Sequence, residues 1–347
     1  VDRFENRALL VGVSFAQAVV VIGIALGVDT LWALLPLVAL LGFGVAVGQP
    51  AEFSLVPAAA GETDIARANG LMETARSLGF TAGPLLGGVL GAAGLLRLAL
   101  AVDALSFMVV GIAGLALSAR RRPAGARTPD EPVRARDGFA FLAHDPALAN
   151  TLGGAVAALT VFTMSATAEP FFVIDDLGAG GFGYGLLITG WTLGMAAGAA
   201  GLAHRIRPSS LAAAALVAIV AQGLGIVGAA VSPVLWTALI GFAFGGGAHG
   251  VKNVLLRTLI HERVPEALRG RAFAAYNGAR NGAELGALAL GGAVVGAFGA
   301  RAALLASGLG PVAIGLACLL LLTTMRRREA AAPTIDGRTI HHARIQG

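Results

Sequence analysis

Charge is scarce in this chain: Asp, Glu, Lys and Arg make up 13% of its 347 residues, where a soluble domain carries roughly 25%. So few charges cannot cover a water-facing surface, which excludes an ordinary soluble enzyme or binding module. Lysine is nearly absent, Lys252 being the only one. No G-x-x-x-x-G-K-[ST] run surrounds it, so ATP is not the direct driver of work within this chain. Cysteine is limited to Cys318 in an apolar run, which leaves no intrachain disulfide and implies packing. The histidines, His144, His204, His249, His261, His341 and His342, show no metal-ligand spacing with acids or cysteine. Neither a metal site nor a cofactor is expected. No cleavage pattern is read in Asp2, Arg3, Glu5 and Arg7, which lead straight into a span-length apolar segment.

What is abundant is apolar: 56% of residues, with a mean hydropathy of +0.78. The bilayer is therefore the expected solvent. Fifty glycines sit inside the apolar stretches beside alanine, where close-packed membrane helices need small residues. The net charge of +5 and the isoelectric point near 10.5 come from short basic clusters between apolar runs, which signal topology, not a nucleic-acid surface.

A helical span needs about 20 mainly apolar residues, and the sequence offers ten, at about 9–28, 31–50, 71–92, 98–117, 148–172, 183–203, 211–231, 234–256, 272–297 and 302–325. The expected fold is an all-α membrane protein. Residues 1–117 form an N-terminal part of four spans, 118–147 a cytoplasmic linker rich in Arg, Pro and Asp, 148–325 a six-span part and 326–347 a cytoplasmic tail. Arginine sets orientation, because Lys and Arg accumulate in cytoplasmic loops. With the N-terminus inside, one side collects Arg3, Arg7, Arg120, Arg121, Arg122, Arg257, Arg263, Arg269, Arg271 and the tail arginines, while the other keeps Arg97 and Arg301. Both termini should be cytoplasmic, in the inner membrane.

An internal repeat is visible. Val56 and Pro57 precede Asn69 and Gly70 by thirteen positions, and Val264 and Pro265 precede Asn277 and Gly278 by the same thirteen, an offset of 208. At that offset Gly83 and Gly88 fall on Gly291 and Gly296. A rival offset of 204 pairs Arg76 with Arg280 and Gly87 with Gly291. Parallel duplicated parts are a habit of transporters.

The sharpest local pattern is Gly79, Gly83, Pro84, Gly87 and Gly88 in the third span. Proline bends a helix, and glycines at spacing four make a flat face on which another helix can lie. Gly190, Gly194 and Gly198 in the sixth span form a second such ridge. The first pattern fits G-x-x-x-G-P-x-x-G-G at every fixed position, and so resembles the fifth helix of major facilitator exporters and antiporters. Asp2, Arg3 and Arg7 resemble the end of that family's loop between helices two and three, with Glu5 and Asn6 departing from the usual Gly and Arg. Val264 to Arg271 looks like the loop before helix eleven, and the runs 50–57 and 177–186 resemble the enterobactin-type and macrolide-type exporters. The resemblance implies two parallel-related helical halves, a glycine-proline motif packed on helix eight, and a cytoplasmic charge lock at Asp2, Arg3 and Arg7. It also implies a family of twelve helices. The ten spans would be helices three to twelve, and the offset places the matching start about sixty residues ahead of Val1, room for two spans. An N-terminally truncated chain is the expectation.

Charges inside spans are expensive, and so are functional candidates. Asp103 has no local partner and is the first candidate for carrying a proton; Glu73 with Arg76, and Arg280 with Glu284, lie on single helix faces and can neutralise each other. Glu169 beside Pro170 reads as an interfacial end with a kink, and Lys252 as a side chain snorkelling to the headgroups. Gln17, Trp191, Gln222, Trp236, Tyr276 and Asn281 are the candidates to line a substrate cavity. The expected function is proton-coupled export of a small amphipathic compound, drug-like or siderophore-like, by a monomer that needs protons, substrate and bilayer. A nutrient symporter of the same fold is the alternative. A membrane-embedded lipid-modifying enzyme is disfavoured, because the in-span acids are scattered over helices and depths.

Overall fold

A computed structural model describes residues 5–28, 30–60, 65–117, 135–201 and 206–331, and the described residues are helical apart from short connections. The helices are α1 (Asn6–Gly27), α2 (Leu31–Ala60), α3 (Ile65–Ala92), α4 (Leu96–Ala116), α5 (Ala135–His144), α6 (Pro146–Thr163) and α7 (Ser165–Phe171). After a π-helical turn at Phe172–Asp176 come α8 (Gly180–Gly201), α9 (Leu211–Ala230), α10 (Leu235–Arg263), α11 (Glu266–Phe298) and α12 (Ala300–Ala331). All ten expected spans fall on helices. Helices are the answer because hydrocarbon offers backbone amides no other partner.

Seven segments meet a strict length and hydropathy requirement for crossing a membrane. Helices α3, α8 and α10 lie outside that set, since they carry dense glycine and, in α3 and α10, charges that lower their hydropathy. The expected fifth span is two helices. Pro170 has no N–H to donate back along α7, and the chain continues as a π turn. The expected linker contains α5, which buries Leu142 and lays Gly138 against the backbone of Arg271 and Ala272 on α11.

Several ends have local causes. Asp145 accepts hydrogen bonds from the backbone N–H of Ala147 and Leu148, both at 3.0 Å, with Pro146 at the first helical position of α6. The same carboxylate meets Arg263 at the end of α10, at 3.2 Å. Gly178 and Gly180, both at φ 62°, make the turn into α8 in a conformation that disfavours a side chain.

The chain divides into two compact units. The first draws on Val1–Val133, Glu169–Ala196 and Ser232–Ala243, the second on Arg134–Ala168, Ala197–Val231 and Phe244–Gly347. In the first, α1 packs most extensively on α4, where Phe15 and Val11 sit over Gly111 and Gly114. Arg7 closes the far end of that pair by donating to the carbonyls of Gly114 and Leu115. In the second, α9 packs most extensively on α12, and backbone meets backbone at Gly223 and Gly308. An apolar core of α6, α9, α10 and α11 residues, with Leu216, Leu255, Ile260 and Ala272 among them, fills this unit.

Shifting α1 to α4 by 204 places them at 210–231, 235–264, 269–296 and 300–320, within three residues of the bounds of α9 to α12 apart from the end of α12, whereas a shift of 208 misses those bounds by up to seven. The repeat is thus also a repeat of helix boundaries, and these favour the rival offset of 204 over the 208 read from Val-Pro and Asn-Gly.

Candidate functional site

Two polar places stand out, one in each unit. In the first unit α1 to α4 line an open cavity of about 420 Å³, with Ser14, Gln17, Gly44, Glu52, Arg76 and Phe107 among its walls. Ser14 and Gln17 lie three residues apart and share one face of α1. Gly44 makes room for the glutamine: a Cβ there would lie 2.7 Å from Gln17 Cδ. Gln17 is 6% exposed and donates from Nε2 to the Leu41 carbonyl at 3.2 Å. Across the cavity Arg76 on α3 pairs with Glu52 on α2 at 3.9 Å, both partly exposed. The volume suits a small organic molecule, and the lining offers it apolar walls, an amide and both signs of charge.

In the second unit the polar groups are packed away. Lys252 on α10 is 5% exposed and Gln222 on α9 is 2% exposed. Lys252 Nζ donates to Gln222 Oε1 at 2.9 Å, His249 Nδ1 lies 3.2 Å from that same oxygen, and Nζ and Nδ1 are 3.2 Å apart. Phe162 of α6 packs on the His249 ring, with centroids 5.9 Å apart. From α11 come Tyr276 and the Arg280–Glu284 pair, joined at 3.2 Å across one helical turn, and Arg280 and Glu284 both act electrostatically on Lys252.

This corrects the expectation for Lys252. The side chain does not snorkel; it is held inside by a glutamine on the next helix, which position along α10 alone could not reveal. The expected pair of Arg280 and Glu284 forms. Arg76 finds an acid on another helix, Glu52, while the side chain of Glu73 lies outside the described residues, as do Asp2 and Arg3. Asp103 is exposed on α4, and its carboxylate has no hydrogen-bonding or ionic partner among the described residues. Glu169 is buried at 8% exposure, within electrostatic reach of Tyr184 on α8.

The glycine motif is divided by the structure. Gly88 lies against α8, where an added Cβ would stand 2.6 Å from the Gly181 carbonyl oxygen, and Gly185 lies against the backbone of Pro84 and Leu85. Gly79, Gly83 and Gly87 meet nothing within 4 Å among the described residues. The ridge of Gly190, Gly194 and Gly198 faces α10, at Leu239, Ala243 and Gly247, and not α3. The helix pairing of α3 with α8 is therefore made by Gly181 and Gly185, nearer the start of α8 than the ridge.

Of the remaining cavity candidates, Trp191 packs edge-on against Phe242 at 6.1 Å, Trp236 is 65% exposed, and Asn281 is exposed on α11. Glu52 was missed, although it lies in the quoted run 50–57; its value appears only when Arg76 is placed opposite. Among the described residues no group of three or more His, Cys, Asp or Glu side chains could hold a metal ion.

Residues 1–287 match the family model described as Major Facilitator Superfamily. The chain is 29% identical to the Enterobactin exporter EntS of Citrobacter koseri over 356 residues, covering 97% of this chain and 81% of that protein. It is 27% identical to the Enterobactin exporter EntS of Escherichia coli O1:K1 over 354 residues, covering 96% and 80%. Among solved structures it is similar to a bacterial homolog of the human lysosomal transporter Spinster in an inward-facing, unoccupied conformation. That likeness has a TM-score of 0.60 at 16% identity and covers 93% of this chain and 82% of the other.

Proposed function

The chain belongs to the Major Facilitator Superfamily, and from that premise we propose that it exports a siderophore-like small molecule by alternating access, driven by protons moving inward. It is a multi-pass membrane transporter, not an enzyme. The observation that carries the export reading is the match to enterobactin exporters along 96–97% of the chain. The cavity of about 420 Å³ with its amide and its Arg76–Glu52 pair supports a polar small molecule as cargo. Protons are the proposed driver because the chain carries buried, ionisable groups inside its spans and no phosphate-binding loop. The arginine asymmetry supports termini in the cytoplasm, and one chain is proposed to be the working unit.

Enterobactin is the probe. The chain is produced in a bacterium deleted for its own enterobactin exporter, and enterobactin is measured in the medium. Secretion should return and collapse when a protonophore dissipates the proton gradient. Membrane-inserted protein with no rise in secreted enterobactin would sink the cargo assignment; secretion indifferent to the protonophore would sink the coupling.

A further inference from the structure

We propose that Lys252, His249 and Gln222 form a proton-exchanging centre, in which Lys252 alternates between ammonium and amine as the transporter cycles. The inference deepens the proton-coupled reading above and rests on it.

The first support is the charge balance. Among the described residues no carboxylate lies within ion-pair distance of Lys252. The groups around it can be named helix by helix: Phe162 from α6, Gln222 from α9, His249 on its own helix, and Tyr276, Arg280 and Glu284 from α11. Arg280 and Glu284 offset each other at 3.2 Å. With Lys252 charged, the cluster carries one uncompensated positive charge in a site that is 5% exposed, and isolated buried charge is costly unless it can be neutralised.

The second support is the geometry of the triangle. One acceptor oxygen and two nitrogens, all within 3.2 Å of one another, hold two hydrogen bonds and not three, and the proton positions select which two. With Lys252 as ammonium and the His249 proton on Nε2, Nζ donates to both Oε1 and Nδ1. When Nζ passes a proton to Nδ1 and Nε2 releases its own to water, Lys252 becomes an amine. Nδ1–H then donates to Oε1, and Nζ still donates to Oε1. One proton leaves, the imidazole stays neutral, and in both states the Gln222 oxygen keeps a donor.

The sole lysine also makes the test direct. The 347-residue chain grown with lysine labelled with carbon-13 at Cε and placed in lipid nanodiscs has one lysine signal. That signal should change from ammonium to amine within the pH range over which proton-driven efflux is observed, and the transition should shift in His249→Asn. A signal that stays ammonium throughout overturns the proposal. This readout needs no substrate, so its failure is distinct from failure of the enterobactin assignment. In transport, Lys252→Arg keeps a charge and donors but cannot discharge. It should retain downhill enterobactin efflux and lose efflux driven by a proton gradient; undiminished proton-driven efflux overturns the proposal. The wild-type titration decides the matter should the variant fail to fold.

Discussion

The pairs α1·α4 and α9·α12 occupy equivalent places in the repeat and are the most extensive helix pairs of their units, yet they are packed differently. In α1·α4 the glycines receive side chains: a Cβ at Gly111 would meet the Phe15 ring at 3.0 Å. In α9·α12 the backbones touch, and a Cβ at Gly223 would stand 2.5 Å from the Gly308 carbonyl oxygen. The surroundings differ too, since 56% of the apolar stretch of α9 is buried against 28% of that of its counterpart α1. The same duplicated plan thus yields a closed polar triangle in one unit and an open cavity with a part-exposed ion pair in the other. Without a hydrophobic drive between helices in lipid, closeness of approach decides how tightly each pair holds.

Substitution at the two glycine pairs breaks the comparison most sharply. Gly223→Leu has no side chain to push aside and should leave little folded protein, whereas Gly111→Leu can displace the Phe15 ring and should cost about 1–3 kcal/mol. Thermal unfolding of detergent-purified protein ranks the two, and equal losses would refute the distinction between backbone and side-chain contact. A smaller effect is expected on α3. Gly88→Leu should abolish efflux while inserting normally, because it meets the Gly181 carbonyl; Gly83→Leu, which faces open space among the described residues, should keep most of it. The reverse order would mean that the open face of α3 is the one that works. The smallest effect is expected from Asp103→Asn, whose carboxylate is exposed and lacks a partner among the described residues. Stability should change by less than about 0.5 kcal/mol, and the pH dependence of efflux should be that of the parent. A lost pH dependence would move proton coupling from the second unit to the first.

Helix-by-helix reading located the spans well because each carries its own evidence in a long apolar run. Reading of the charges succeeded where both partners lie on one helix, as with Arg280 and Glu284, and failed where the partner comes from another. Glu52 and Arg76 are 24 positions apart, and Lys252 and Gln222 are 30 apart. The same limit explains the glycines. Spacing of four shows that Gly190, Gly194 and Gly198 share a face, but every face of α8 is rich in small residues, and nothing local says which helix covers which.

The sequence by itself determined that the chain lives in a bilayer, that it is helical, that its second part repeats its first, and which exporters it resembles. Each of these follows from composition, periodicity or local motif, since a span must satisfy its backbone within itself and bear its own hydropathy. Only the tertiary structure decided that Lys252 is enclosed with Gln222 and His249, that Arg76 pairs with Glu52 in the lining of a cavity, and that Gly88, not Gly83, touches α8. Those facts depend on the rotation and depth at which one helix meets another, which side-chain packing over several helices sets and no single span encodes.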